Sequence, residues 1–130
     1  MHKKKIIVSS SDSKYFHLLK ELYLSLKKND VFDEFDFGVL DTGMESDNLS
    51  YLRDNKVIIK EAIWNVDVPK YKILGRNHLK TQVARAFLPE YFTDYDVYIW
   101  LDADMWLNDF ETFKLYEEGA IQNCIAITPQ

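Results

Sequence analysis

Val97-Tyr98-Ile99-Trp100-Leu101, followed directly by Asp102-Ala103-Asp104, restricts what this chain can fold into more than any other stretch. The run has no polar interruption and is rich in β-branched and aromatic residues. It predicts a strand buried on both faces. Such strands belong to parallel sheets covered by helices, and open sheets of that kind bind ligands beyond the carboxyl ends of their strands. Asp102 and Asp104 lie at that end. If strand geometry continues past Leu101, the period of two sends both carboxylates to the same side. Two hard oxygen ligands at one place suit Mg²⁺ or Mn²⁺, with positions left for water or a phosphate. Asp also serves in ordinary turns after strands. The apolar strand before it strengthens the metal reading until the two stand level, because two neighbouring carboxylates need a countercharge.

The rest of the chain supplies the sheet. Lys5 to Ser9 predicts a first strand around Ile6, Ile7 and Val8, and the small polar run Ser9 to Ser13 can cap a helix. Tyr15, Leu19, Leu22, Tyr23 and Leu26 recur at helical spacing over about residues 14–28. Lys27 and Lys28 suit the negative end of that helix, and Asn29 suits its stop. Residues 35–40 predict a second strand, with a turn at Asp41-Thr42-Gly43. Residues 46–54 predict a short helix and 56–60 a third strand. Residues 61–74, without a clear period, predict a long loop. Residues 76–87 predict a helix ended by Leu88 before Pro89. The opening strand is the fourth. Asp109 can cap a helix to about Glu117, and Asn123 to Thr128 predict a fifth strand. Strand alternating with helix means a mostly parallel, Rossmann-type α/β sheet flanked by helices. Three strand ends then meet in polar loops at Ser9 to Ser13, Asp41 to Gly43 and Asp102 to Asp104.

Composition removes several function classes. The 130 residues are 47% hydrophobic, enough for one domain with a core. A net charge of −5 argues against a nucleic-acid partner. The single cysteine, Cys124, excludes an internal disulfide and a cysteine-cluster metal site. The apolar stretch after Lys3-Lys4-Lys5 is too short for a secretory signal, and no segment has the length of a membrane span. These features predict a cytoplasmic protein without a transmembrane segment. Asn48-Leu49-Ser50 matches a glycosylation sequon and reads as chance in that setting. No glycine-rich dinucleotide fingerprint, phosphate-binding P-loop or nucleophile elbow is present. His2, His17 and His78 lack zinc spacing, and His17 reads as a helix-surface residue.

A metal-bridged phosphate site remains, with the carboxylates on the ion and the ion neutralising a diphosphate leaving group. Arg85 interrupts the apolar run from Val83 to Leu88, so it is expected to sit among apolar residues and to need an anionic partner. That partner is either a ligand phosphate or a nearby Asp or Glu in a structural ion pair.

Three segments in order resemble the nucleotide-sugar glycosyltransferases of family 8, which have the GT-A fold. Ser11-Asp12-Ser13-Lys14-Tyr15 is similar to the family's element after the first strand. Ala84-Arg85-Ala86-Phe87-Leu88-Pro89-Glu90 is similar to its arginine-bearing helix end. Tyr98 to Asp104 is similar to its apolar strand and Asp-x-Asp. The resemblance implies a UDP-sugar donor, with Asp12 and Tyr15 on the base and the Tyr15 ring stacked on uracil. Read from the residues alone, Tyr15 is equally a core aromatic of its helix. Ser9, Ser10 and Ser11 would lie against the nucleoside, and Asp102 and Ala103 would complete the nucleotide site. Arg85 would approach the donor phosphates or sugar. Asp102 and Asp104 would hold Mn²⁺ or Mg²⁺. The reaction implied is sugar transfer to a saccharide, lipid or protein acceptor, with release of UDP and retention at the anomeric carbon.

Family members run longer, and their second half supplies a third metal ligand, a His, and most of the acceptor site. Residues 1–130 are therefore expected to form the nucleotide-binding part of a GT-A domain, with a sheet incomplete at the C-terminus and the acceptor half missing. Apolar surface left uncovered there would permit self-association. Two rivals stand beside this expectation. One is a non-catalytic or truncated nucleotide-sugar-binding fragment. The other is a haloacid-dehalogenase-like phosphatase, disfavoured because its Asp-x-Asp follows the first strand and because Met105-Trp106 departs from its usual continuation.

Overall fold

A computed structural model of the chain describes residues 3–76, 79–120 and 125–126. Four parallel strands form one sheet: β1 (Lys5–Ser11), β2 (Asp36–Asp41), β3 (Ile58–Glu61) and β4 (Val97–Trp100), in the order β3-β2-β1-β4. The chain lays down β1, β2 and β3 in one direction, then returns to the other side of β1 for β4. The reversal falls between β1 and β4, the place where open α/β sheets bind ligands. The α/β class and the parallel sheet predicted from the sequence are both observed. The predicted fifth strand lies almost wholly outside the described residues, and Ile125 and Ala126 carry no strand assignment.

Side chains alternate across β1 and sort the core into two layers. Ile7 faces α1 (Phe16–Lys28) and joins Leu19, Leu22, Tyr23 and Leu26 of that helix, together with Phe37, Val39, Leu52 and Phe113. Leu52 comes from α2 (Ser46–Asp54). Ile6 and Val8 face the opposite side and pack with Leu40, Ala84, Leu88 and Phe92. Helices thus cover both faces, which is why the β1 core reads as an unbroken apolar run. Gly38 makes the second layer possible. A Cβ there would lie 2.5 Å from Phe92 Cε1, closer than any real contact.

Several boundaries differ from the sequence reading. β1 runs on through Ser9, Ser10 and Ser11, which pair with Val39, Leu40 and Asp41. These serines belong to the sheet rather than to a helix cap, because pairing with β2 outweighs their turn preference. α1 accordingly starts at Phe16, and its entry is held by Asp12, whose Oδ1 accepts the Tyr15 N–H at 3.0 Å. The predicted loop at 61–74 contains one helical turn, α3 (Lys70–Ile73). The predicted 76–87 helix is α4 (Leu79–Ala84), tightened into a 3₁₀ turn over Arg85–Phe87, then α5 (Leu88–Tyr91). Leu88 does not end the helical path. Pro89 sits in the first turn of α5, where its missing N–H has no helical partner to lose. β4 is half-buried along its length and is one of the two edge strands among the described residues, so burial on both faces is not observed.

α6 (Glu111–Gly119) follows the site. As expected, the Asp109 carboxylate caps it by accepting the Thr112 N–H at 3.1 Å. No helix among the described residues is long and apolar enough to cross a membrane.

Candidate functional site

The carboxyl ends of β2, β1 and β4 lie side by side, as predicted, and their loops are tied together. The Thr42 N–H donates to Ser11 O at 3.1 Å, and the Ser13 N–H donates to Gly43 O at 3.3 Å. Asp41 Oδ1 accepts the N–H groups of Gly43 and Met44 at 2.8 and 2.7 Å, which fixes the turn after β2. Gly43 there has φ of 132°, a conformation that favours glycine. The Ser13 hydroxyl links the same turn to α2, donating to Asn48 Oδ1 and accepting the Glu45 N–H, both at 2.7 Å. The ladder between β1 and β4 extends one step beyond the strand, with the Leu101 N–H on Val8 O at 3.0 Å.

The residues expected to touch a nucleotide divide by exposure. Ser9 and Ser11 are buried, and the Ser11 hydroxyl donates to Asp12 O. Asp12 is half-buried and spends one carboxylate oxygen on the Tyr15 N–H. Tyr15 is 47% exposed, so it does not belong to the core stripe of α1. The Lys14 ammonium lies 5.3 Å from its ring centroid. An exposed, anchored aromatic at a strand end is a platform on which a flat base can stack.

β4 ends at Trp100, and the chain turns: the Met105 N–H donates to Asp102 O at 3.0 Å. Strand geometry therefore does not continue through Asp104, and the expected alignment by a period of two fails there. Asp102 lies on the α4–α5 side with Trp100. Its Oδ1 accepts from Arg85 Nη2 at 2.8 Å and from Trp100 Nε1 at 2.9 Å. Asp104 lies toward α1 and lines a cavity of about 200 Å³ with Leu18, Glu21 and Ala103. The other oxygen of Asp102 and both oxygens of Asp104 have no hydrogen-bond or ion-pair partner among the described residues. Unpartnered carboxylate oxygens one residue apart on a turn are the donor type a hard divalent cation takes. No group of three His, Cys, Asp or Glu suited to a metal stands among the described residues. An ion held by the two acids would complete its shell with water or ligand oxygens.

Arg85 corrects another expectation. Its side chain is 45% exposed, not embedded in the apolar run around it. The 3₁₀ turn rotates it outward, where the guanidinium lies 4.9 Å from the Trp100 ring centroid and pairs with Asp102. Of the two readings of Arg85, the structure contains the local ion pair. Trp100 is the residue the sequence reading left out of the site. The signal was available, since a strand period of two puts Trp100 and Asp102 on one face.

No protein-family model matches the chain, and no curated protein matches it. Solved structures do. Galactosyltransferase LgtC in complex with donor and acceptor sugar analogs is 26% identical, with a TM-score of 0.62 over 86% of this chain and 42% of its own. An active-site mutant of LgtC gives the same identity, TM-score and share of this chain, over 41% of its own length. The bifunctional glycosyltransferase WbbM, solved without ligand, is 16% identical, with a TM-score of 0.63 over 88% of this chain and 21% of its own; that likeness concerns the fold alone. The chain thus spans less than half the length of the glycosyltransferases it resembles, and its parallel α/β sheet has the GT-A-type fold of these neighbours.

Proposed function

We propose that residues 1–130 are the donor-binding part of a metal-dependent glycosyltransferase of family 8, one that takes a UDP-sugar and transfers the sugar with retention to a saccharide, lipid or protein acceptor. One observation carries the reading. Beyond the carboxyl ends of β1 and β4, the loops carry an exposed tyrosine, an exposed arginine paired with Asp102, and two acids with unpartnered oxygens, on a sheet resembling that of a galactosyltransferase solved with donor and acceptor sugar analogs.

Each residue then has a definable task. Tyr15 offers its ring to the base, and Asp12, beside it, offers the carboxylate oxygen not spent on the Tyr15 N–H. Of the three serines at the end of β1, the half-buried Ser10 would lie under the nucleoside, with Ser9 and Ser11 buried beneath it. Arg85 keeps Nη2 on Asp102 and offers its other N–H donors to the diphosphate. Asp102, beside Ala103, and Asp104 would hold Mn²⁺ or Mg²⁺. Such an ion, when bound, supplies Lewis-acid stabilisation of the diphosphate leaving group.

The Arg85–Asp102 pair favours a second reading, in which Arg85 alone neutralises the diphosphate and the chain binds a nucleotide sugar without turning it over. Two experiments separate the readings. UDP should quench tryptophan fluorescence only when Mn²⁺ or Mg²⁺ is present, because Trp100 and Trp106 flank the acids. A response indifferent to metal supports the second reading. UDP release from a panel of UDP-sugars, with no turnover of a generic phosphate ester, supports the transferase; the reverse pattern would identify the phosphatase rival and overturn the proposal.

A further inference from the structure

The geometry points to Trp100 as a positioning residue: we infer that its indole N–H fixes Asp102 Oδ1 while its ring carries Arg85, so that the second carboxylate oxygen is the one presented to a cation. The inference rests on the metal-dependent reading above and deepens it.

Trp100 is well placed to hold something still. It is the last residue of β4, opposite Val8 in the register, so its backbone belongs to the sheet. Its ring packs against the buried layer formed by Ile6, Val8, Leu40, Ala84, Leu88 and Phe92. An indole N–H can only donate. Placed 2.9 Å from Asp102 Oδ1, it selects that oxygen and leaves the other without a protein partner. Arg85 donates to the same oxygen at 2.8 Å and stacks over the same ring. Two donors converging on one oxygen fix the rotation of the carboxylate about its Cβ–Cγ bond, which a single donor on an exposed, rotamer-rich arginine would not. The arginine has five N–H donors, so its remaining ones stay available for an anionic ligand. Such partners of a metal ligand orient it and raise its affinity for the ion.

The variant Trp100→Phe keeps an aromatic ring on the apolar layer and removes the N–H. Mn²⁺ binding is read from the loss of the free-ion electron paramagnetic resonance signal, at saturating UDP, for wild type and variant, with thermal unfolding measured on both. Mn²⁺ should bind the variant about 10-fold more weakly, or worse, while the melting temperature stays close to that of wild type. UDP binding without metal should not change. A role in packing alone would lower the melting temperature and leave Mn²⁺ affinity unmoved. Equal Mn²⁺ affinity in wild type and variant overturns the inference and leaves the metal reading intact. No Mn²⁺ binding by wild type overturns both. A second measurement needs neither metal nor a folded Trp100 variant. In the nuclear magnetic resonance spectrum, the Trp100 indole N–H should move upfield in Asp102→Ala, and an unmoved resonance overturns the inference.

Discussion

Replacing Arg85 with glutamine distinguishes a structural cation from a ligand-binding one, and the structure sets the size of each effect. The Arg85 and Asp102 side chains are 45% and 52% exposed, so their ion pair belongs to the surface class worth about 0.2–1 kcal/mol. Stacking over Trp100 at an exposed site adds about 0.5–1 kcal/mol. Asp102 keeps the Trp100 N–H, so no buried charge is stranded. Arg85→Gln should therefore cost no more than about 2 kcal/mol, a fall in melting temperature on the order of 10 °C or less. Binding should suffer more. Losing charge-assisted hydrogen bonds to a diphosphate costs about 1.5–3 kcal/mol, which is about 10- to 100-fold in the dissociation constant for UDP. Calorimetric titration of UDP in Mn²⁺, beside thermal unfolding of the same samples, reads both quantities. An unchanged UDP affinity, paired with a melting temperature lowered well beyond that bound, would refute the assignment and make Arg85 a structural residue only.

Two further outcomes test the fold beneath the site. Gly38→Ala places a methyl against the Phe92 ring, whose nearest atom would be 2.5 Å away, and should destabilise by about 1–3 kcal/mol in denaturant unfolding; a neutral result would show that Phe92 does not pack there. Tyr95 donates to Asp36 Oδ2, and burial, then that hydrogen bond and the Asp36 charge, push its hydroxyl up to about 12. The folded state therefore holds a proton that the unfolded chain releases near pH 10. Stability from this group is complete below pH 10 and is lost as pH rises toward 12. Tyr95→Phe should flatten the fall in stability between pH 10 and 12, and an identical alkaline profile in the variant would refute the coupling.

What the sequence disclosed, and what it withheld, follows from how local each cause is. Ile6-Ile7-Val8 announces a buried parallel strand because its own composition carries the signal. The Leu19, Leu22, Tyr23 and Leu26 stripe announces α1 in the same way. The extension of β1 through Ser9 to Ser11 depends on β2 lying alongside, which serine propensities cannot express. Val97 to Trp100 looks like a strand covered on both faces, yet its half-burial follows from its position outside β1 in the sheet. Asp102 and Asp104 were legible as a pair of acids at a strand end. Their different neighbours were not, because the turn closed by the Met105 N–H overrides the period of two. Arg85 looked buried because its neighbours in sequence are apolar, and the 3₁₀ turn that rotates it outward leaves no distinct mark in composition. The indole of Trp100 was readable as a site residue by strand spacing alone. Tryptophan in an apolar run is most simply taken as core, which hides that role.

If Asp102 and Asp104 join UDP to a divalent cation, as proposed, a single titration reads it. UDP is titrated calorimetrically into wild type and into Asp104→Asn, each with Mn²⁺ and with chelator. Asp104 has no partner among the described residues, so the variant should fold as wild type does, with a stability change within about 0.5 kcal/mol. Wild type should bind UDP tightly only with Mn²⁺, and the variant should lose most of that metal-dependent gain. Equal Mn²⁺-dependent affinity in both proteins, or wild-type binding unaffected by chelator, would contradict it.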